Sequence, residues 1–361
     1  MSSDTEARAR AIFDSFQDPV LGPELKRALG EPEISVEGGN VRMDLTLGFP
    51  ARRHGRRLAR ALKRELEADD AIDSAEVRTT CEIAPHQTQP NVERLKSVKN
   101  VIAVSSAKGG VGKSTVACNL ALALVAEGAS VGMLDADIYG PSQPRMLGVK
   151  GRPDSIDGQR IEPMKSYGIE SISVGYLIDD DEPMIWRGPM VTRAMQQLLN
   201  DTRWGDLDYL IVDMPPGTGD IQLTLSQQVP VAGAVIVTTP QDIATLDARK
   251  GLQMFRKVNV PVLGIVENMS LHICSECGHQ EHVFGAGGGE RIAQDYGVPM
   301  LGALPLDIRI REHADSGRPS VVAEPDGEIA KLYGEIALRM TAKLSLQAAD
   351  FTHRMPKIVI R

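Results

Sequence analysis

A glycine-rich segment between an apolar run and a helical run is the feature that most constrains the fold of this chain. Residues 108–115 read Lys-Gly-Gly-Val-Gly-Lys-Ser-Thr, after the apolar run Val101–Ser105 and at the start of a helical stretch over 114–125. The glycines let backbone N–H groups approach phosphate oxygens, and the helix start adds the positive end of its dipole. This strand–loop–helix order predicts a phosphate-binding loop in an α/β fold.

The loop departs from the ordinary pattern at its entrance. Ala107 stands where the first glycine is usual, and Lys108 precedes the remaining glycines. In such loops Lys113 would contact the β and γ phosphates, Ser114 would ligate Mg²⁺, and Thr115 would hydrogen-bond the phosphates. The extra lysine narrows the prediction from nucleotide binding in general to one branch of ATPases.

From residue 100 onward, apolar runs alternate with helical stretches. Most runs are rich in Val and Ile without strict alternation, which is typical of parallel strands covered on both faces. The predicted fold class is therefore α/β, a P-loop NTPase with a mostly parallel sheet flanked by helices and preceded by a small α+β domain. The candidate strands are Val101–Ser105, Ser130–Leu134, Ile169–Val174, Tyr209–Val212, Ala234–Thr238 and Val262–Val266.

The chain divides into four predicted regions. Residues 1–85 form a small α+β accessory domain, with short helices at 5–16 and 23–29, a strand hairpin over 34–47 and an amphipathic helix over 54–68. Residues 86–98 are a linker, 99–345 are the P-loop ATPase domain with a cysteine-bearing loop, and 346–361 are a tail.

Charge and hydropathy point away from two classes of partner. The 361-residue chain has a net charge of −8 and an isoelectric point near 5.5. We therefore expect no nucleic-acid partner. No apolar stretch approaches the ~18 residues of a membrane span, and Met1–Arg10 does not resemble a secretory signal. The expected location is the cytoplasm, without a membrane partner.

One basic cluster bears on the expectation that the chain has no nucleic-acid partner. Seven Arg and Lys side chains fall within residues 52–64, and such a cluster suits nucleic acid or an acidic partner. Acidic residues follow at once at 65, 67, 69 and 70 and balance the charge. A solvated helix face is the favoured interpretation.

Carboxylates follow two of the predicted strands. Asp135 and Asp137 come after one, and Asp213 ends another. Ligands of open parallel sheets collect at the carboxyl ends of strands, where carboxylates can hold a metal's water or orient an attacking water. A turn or helix cap is the alternative role for each residue alone.

Together these motifs resemble the deviant-loop ATPases and, within them, the Mrp/ApbC iron–sulfur cluster carriers. The resemblance covers about residues 95–345, and the leading unit is similar to the domain often found ahead of the ATPase in bacterial members. The matching segments are Lys108–Thr115, Asp135–Ser142, Trp186–Met190, Asp213–Asp220, Glu267–Ser270 and Phe284–Glu290.

The resemblance assigns roles within the nucleotide site. Lys108 would reach the nucleotide of a partner subunit, Asp137 would orient the attacking water, and Lys108, Lys113 and Asp137 would be catalytic. Asp135 and Asp213 would support Mg²⁺, and Asn268 would contact the base. The nucleotide-binding set is Gly109, Gly110, Val111, Gly112, Lys113, Ser114, Thr115, Asp135, Asp213 and Asn268.

The Cys274-x-x-Cys277 pair indicates metal or redox chemistry in a cytosolic protein. Two thiolates are half of the four that a [4Fe–4S] cluster commonly uses, and a two-fold dimer would complete the set. A Cys₂His₂ zinc site with two of His272, His279 and His282 is the main alternative, and a redox dithiol is another. Ser275 stands where relatives often have Pro, and the segment 48–51 offers no cysteine for a cluster in the leading unit. Cys81 and Cys118 are expected to be passive.

The resemblance therefore implies an ATP hydrolase, a homodimer that uses ATP and Mg²⁺. It would accept a labile [4Fe–4S] cluster from scaffold or donor proteins and transfer it to apo iron–sulfur proteins. A partition or septum-placement ATPase that binds DNA or membrane is the alternative. An electron-transferring ATPase like the nitrogenase iron protein is less consistent with an adjacent cysteine pair.

Overall fold

The computed structural model describes residues 2–90, 92–155, 158–178, 188–274 and 276–350. In these ranges it contains a three-stranded sheet, an eight-stranded sheet and a two-stranded hairpin. Parts of three predictions lie outside the described residues: Trp186 and Arg187 of the family motif, Ser275 between the cysteines, and positions 351–361 of the predicted tail.

The leading unit is built on a central strand paired on both sides. β2 pairs antiparallel with β1 and parallel with β3, and every second residue of β2 is buried. The predicted hairpin and helices are present, whereas β3 was not predicted because few of its residues are apolar. The elements are α1 (Ser2–Ser15), α2 (Gly22–Leu25), a 3-10 turn (Lys26–Leu29), β1 (Glu33–Glu37), β2 (Asn40–Leu47), α3 (Arg52–Leu66) and β3 (Ser74–Cys81).

The large sheet has the order β13-β10-β9-β4-β8-β5-β7-β6 and is parallel except for the β6–β7 pair. All six predicted strands are present, and the sequence missed the short edge strands β6 and β13. The strands of the large sheet are β4 (Val98–Ser105), β5 (Val131–Asp135), β6 (Met164–Ser166), β7 (Ile169–Ser173), β8 (Leu207–Asp213), β9 (Val231–Thr238), β10 (Val262–Glu267) and β13 (Met300–Ala303). The separate hairpin consists of β11 (His272–Ile273) and β12 (Gln280–Glu281).

Helices cover both faces of this sheet. α4 and α12 pack together on one face, while α6, α7 and α8 bury apolar residues on the other. α4 is apolar almost all round because it is enclosed. No described helix is both long and apolar enough to cross a membrane. The helices are α4 (Lys113–Ala126), α5 (Gln143–Met146), a 3-10 turn (Val174–Tyr176), α6 (Gly188–Asp201), α7 (Asp220–Gln228), α8 (Asp242–Lys257), α9 (Gly288–Tyr296), α10 (Ile308–Asp315), α11 (Ser320–Ala323) and α12 (Glu328–Ser345).

The segment predicted as a linker is held against the large sheet. The buried Gln89 amide donates to the carbonyl oxygens of Ser226 at 2.6 Å and Val229 at 3.1 Å, and its oxygen accepts from the Val231 N–H at 3.0 Å. A backbone bridge also joins His86 to Ala349, so the described start of the predicted tail packs on the same segment.

The two units meet where α3 begins and α4 ends. The Glu127 carboxylate, 6% exposed, accepts the Arg53 N–H at 2.8 Å and the His54 N–H at 3.2 Å. The Glu127 carbonyl accepts the Arg52 N–H at 3.0 Å. Because the first N–H groups of a helix have no partner within it, Glu127 caps α3 from the other unit.

We predict that Glu127→Ala destabilises the protein by about 1–3 kcal/mol, since two N–H groups of α3 lose their acceptor in a buried place. Urea unfolding measures the change. Glu127→Gln keeps an acceptor oxygen and is the matched control, with a smaller loss. An unchanged unfolding midpoint for the alanine variant would contradict this account of the contact.

Candidate functional site

The phosphate-binding loop lies at the carboxyl end of β4, in the middle of the large sheet. Gly110 and Gly112 have φ values of 79° and 82°, which residues with a side chain rarely adopt. A Cβ at Gly112 would also collide with the side-chain amide of Asn268. The loop is exposed at residues 108–110 and turns inward at Val111, so its outer backbone faces solvent where a ligand can approach.

Lys113 is the buried cation of the site. Its side chain is 5% exposed and its ammonium forms an ion pair with Asp213, which is fully buried. The Lys113 Nζ atom lies 3.1 Å from the Ser114 Oγ atom and 3.7 Å from Asp137 Oδ2. The structure therefore brings these four predicted residues into one polar cluster.

Asp135 adds a further carboxyl group beside those of Asp137 and Asp213. Burial, together with the nearby Asp213 carboxylate, raises the pKa of Asp135 to about 7. Burial also raises the pKa of Asp137, in spite of the opposing charge of Lys113. Three carboxyl groups thus share one ammonium, and the site has an excess of negative charge that a divalent cation would relieve.

The hydrogen bonds of Asp135 limit its role. Its Oδ2 atom accepts from the Ser142 N–H, the Gln143 N–H and the Ser173 hydroxyl at 3.0–3.1 Å, and Oδ1 accepts from the Asp137 N–H at 3.2 Å. With one oxygen so fully engaged, Asp135 suits a supporting position better than direct metal ligation.

Two glutamines of the site were not predicted from the sequence. The Gln143 amide donates to Asp213 Oδ2 at 2.9 Å and to the Ser114 carbonyl at 3.0 Å. The Gln222 amide donates to the Ser105 hydroxyl at the end of β4. Gln143 directly follows the Asp135–Ser142 motif, and this position is the one sequence signal that could have identified it. Gln222 has no such signal, because no motif spacing places a glutamine there.

Lys108 stays apart from the buried cluster. Its side chain is exposed and makes no ion pair with a described residue, while its carbonyl accepts the Ser106 hydroxyl at 2.9 Å. Thr115, in the first turn of α4, is half-buried. The backbone around Lys108 is thus fixed while the ammonium extends outward.

Asn268 joins the loop to the strand that leads to the cysteines. Its side-chain amide donates to the Val111 carbonyl at 2.9 Å, and its backbone N–H donates to Thr238 at the end of β9 at 2.8 Å. Met269 follows with a φ of 57°, an uncommon conformation for a residue with a side chain. The predicted contact of Asn268 with the base stays a prediction.

The cysteine pair lies in the turn between β11 and β12. The Cys274 N–H donates to the His279 carbonyl and the Gly278 N–H donates to the Cys274 carbonyl, both at 2.9 Å. Cys274 is half-buried and Cys277 is exposed. The short hairpin therefore presents both thiols together at the surface.

Two of the three histidines near the pair, His272 and His282, hydrogen-bond backbone carbonyls through their rings. The His272 Nδ1–H donates to Leu306 at 3.1 Å, and the His282 Nδ1–H donates to Ser270 at 2.7 Å. Among the described residues, no three His, Cys, Asp or Glu side chains are grouped closely enough to hold a metal ion. The alternative Cys₂His₂ zinc site is not assembled in this part of the chain.

Backbone N–H groups favour the thiolate form of Cys274. Hydrogen bonds from the Cys277 and Glu276 backbones, with a further one from the Cys277 side chain, lower the pKa of the Cys274 thiol. Because the thiolate is the nucleophile and the metal ligand, the turn prepares this cysteine for either role.

Comparison with known proteins identifies the family. The family described as ParA, the NUBPL iron-transfer P-loop NTPases, matches residues 97–341. The chain belongs to this family. An iron–sulfur cluster carrier protein of Haemophilus influenzae is 50% identical over 350 residues, covering 97% of this chain and 95% of that protein. A protein of the same name from Pseudomonas fragi is 60% identical over 271 residues, or 74% and 94% of the two chains.

A solved structure of a nucleotide-binding protein has a similar fold. The nucleotide-binding protein of Archaeoglobus fulgidus, in complex with ADP, is 36% identical with a TM-score of 0.57, covering 65% of this chain and 92% of that one. The predicted P-loop NTPase fold and the predicted ATP hydrolase activity are confirmed. The partition or septum-placement alternative is not favoured by the relatives' names.

We predict that alkylation of Cys274 by iodoacetamide reaches half its maximal rate at a lower pH in the folded protein than in the urea-unfolded chain, because the turn lowers the pKa of this thiol. A lowered pKa keeps the thiolate present at lower pH, so reactivity persists there. Peptide mass spectrometry resolves the modified residue, and the urea-unfolded chain is the control. A midpoint equal in folded and unfolded protein would refute the effect of the turn.

Proposed function

We propose that this chain is an ATP-dependent carrier that binds a labile [4Fe–4S] cluster between two copies and transfers it to apo-proteins. The family and the named relatives support iron–sulfur cluster carrier function in general. The observation that carries the finer proposal is the hydrogen bond from Asn268 to the Val111 carbonyl. It connects the phosphate-binding loop to Asn268, which directly follows β10 and lies six residues before Cys274.

The proposed cluster site needs two chains. The pair Cys274 and Cys277 supplies two thiols, and within the described residues no third ligand side chain is grouped with them. A two-fold dimer would present four thiolates to one cluster, the usual number for [4Fe–4S]. An exposed shared site of this kind suits a cluster that is cargo and must leave again.

The nucleotide site fits ATP with Mg²⁺. Lys113 and the loop amides would hold the phosphates, and the Ser114 hydroxyl with Asp213 would hold the cation, supported by Asp135. The raised pKa values of Asp135 and Asp137 support this assignment, because uncompensated carboxylates attract a divalent cation. Bound Mg²⁺ would neutralise phosphate charge.

Asp137 would orient the attacking water. It is half-buried, and its Oδ2 atom lies 3.7 Å from the Lys113 ammonium, so its carboxylate faces the same place as the phosphate-binding groups. Lys108, exposed and without an ion pair to a described residue, would cross to the nucleotide of the second chain. Such a cation stabilises transition-state charge as an arginine finger does.

Nucleotide turnover would reach the cysteine hairpin through Asn268. When the loop closes on the phosphates, the Val111 carbonyl moves with it, and the amide bonded to that carbonyl follows. Met269 and the β11–β12 hairpin come next along the chain. The dimer would then alternate between states that hold and release the cluster. Scaffold or donor proteins, apo-protein acceptors and a cytoplasmic location, without nucleic acid or membrane, belong to the same proposal.

We predict that the double variant Cys274→Ala/Cys277→Ala retains no cluster after anaerobic reconstitution and still binds ATP. The visible absorbance of the cluster and a fluorescent ATP analogue measure the two properties. Cys81→Ala is the matched control, since its thiol contacts the Phe49 carbonyl at 3.2 Å in the leading unit. Full cluster loading of the double variant would contradict the proposal.

We predict that Lys108→Ala lowers kcat for ATP hydrolysis by on the order of a thousandfold or more, the range found for cations supplied by a partner. ATP affinity should change little, because Lys113 and the loop amides remain. Steady-state hydrolysis and equilibrium binding separate the two effects. Lys150→Ala removes another exposed lysine and should hydrolyse ATP normally; equal rates for both variants would exclude the proposed role.

A further inference from the structure

One side of α3 carries a row of arginines that the nucleotide and cysteine sites do not use. Their spacing of three or four residues places them along a single face of the helix. From the first to the last, the row spans about 16 Å at the helical rise of ~1.5 Å per residue. All five are exposed: Arg53, Arg56, Arg57, Arg60 and Arg64.

The charge of this row is not balanced locally. None of the five guanidinium groups forms an ion pair with a described residue, and the Arg53 guanidinium donates to the Pro325 carbonyl at 3.4 Å. Two nearby carboxylates are already engaged: Glu127 caps α3, and Glu335 lies 3.3 Å from Arg339. Asp326 is exposed near the row, and Lys331 offsets its charge.

The row borders two cavities. A cavity of about 340 Å³ lies between α3, the end of α4 and the start of α12. A second, of about 300 Å³, is lined by apolar side chains that include Phe16, Val20 and Leu58 and also by Asp18, whose carboxylate is already paired with His54 at 2.8 Å. Arg57 and Arg60 line both cavities. The row of arginines thus lies beside the second cavity, which has room for an apolar side chain.

These features select one class of ligand. Guanidinium groups bind carboxylates and phosphates in paired hydrogen bonds, and a row of this length exceeds a single phosphate. The apolar pocket adds a place for an aliphatic or aromatic side chain. The net charge of −8 repels a long nucleic acid from the rest of the surface. We call the row of five arginines, together with the two cavities that it borders, the arginine groove. We propose that the arginine groove binds an acidic segment of a partner protein and that this segment also carries an apolar side chain.

The position of the groove suits the recruitment of a partner protein to the ATPase. It lies between the leading unit and the ATPase unit, and one of its walls is the end of the helix that begins at Lys113. Recruitment of a cluster acceptor through this groove rests on the proposed carrier function, whereas the binding of an acidic segment does not.

The test uses the full chain and a fluorescent synthetic peptide of Asp and Glu residues around one Leu. Fluorescence anisotropy should detect binding that weakens as NaCl is raised, since salt screens exposed charges. The triple variant Arg56→Gln/Arg57→Gln/Arg60→Gln should bind the peptide about tenfold more weakly. This loss corresponds to roughly 0.5 kcal/mol for each of three exposed ion pairs. A peptide with Ala in place of Leu should also bind more weakly.

A matched triple variant separates the groove from general charge. Arg8, Arg42 and Arg78 belong to the same unit but already pair with carboxylates of Asp4, Asp44 and Glu76. Their replacement by Gln should leave peptide binding unchanged. No binding by the wild-type chain, or equal losses in both variants, would overturn the proposal. Tighter binding of a single-stranded oligonucleotide that displaces the peptide would overturn it in favour of nucleic acid.

Two further measurements test the arginine groove independently of the proposed carrier function. The groove variant should load a cluster and hydrolyse ATP as the wild type does, and Cys274→Ala/Cys277→Ala should still bind the peptide. Loss of peptide binding in the cysteine variant would contradict an independent groove.

Discussion

The rest of the site depends on one buried cation shared among three carboxyl groups. Lys113 lies at the carboxyl ends of β4, β5 and β8, where Asp213 pairs with it and Asp135 and Asp137 lie close by. Buried charges are costly unless they are paired, so this cluster requires the strand order that brings β4 beside β8 and β8 beside β5. The excess of carboxyl groups is the physical reason for proposing that the nucleotide site takes up a divalent cation.

One helix joins this cluster to the leading unit. α4 begins at Lys113, and directly after its last turn Glu127 caps α3. The far side of the loop is joined to β10 by Asn268. The arginine groove and the cysteine hairpin therefore lie at the ends of two separate connections from the phosphate-binding loop.

The sequence predicted the parts whose signals are local. The loop, the six long strands and the aspartates at strand ends follow from glycine spacing, Val and Ile runs and motif order. The edge strands β6 and β13 have three and four residues, too few for a pattern. Gln143 and Gln222 act through contacts across the fold, and the linker's Gln89 likewise pairs with residues more than a hundred positions away. The sequence favours a solvated face for Arg56 and Arg57 because acidic residues follow them in the chain. The cavity beside them is not visible in the sequence, because part of its wall comes from the distant helix α12.

The most direct test of the carrier proposal is native mass spectrometry after anaerobic reconstitution with iron and sulfide. The account predicts a dimer that holds one [4Fe–4S] cluster, about four irons for two chains, because each chain supplies two thiolates at Cys274 and Cys277. A monomer that holds one zinc ion, or a dimer with one zinc ion in each chain, would contradict it.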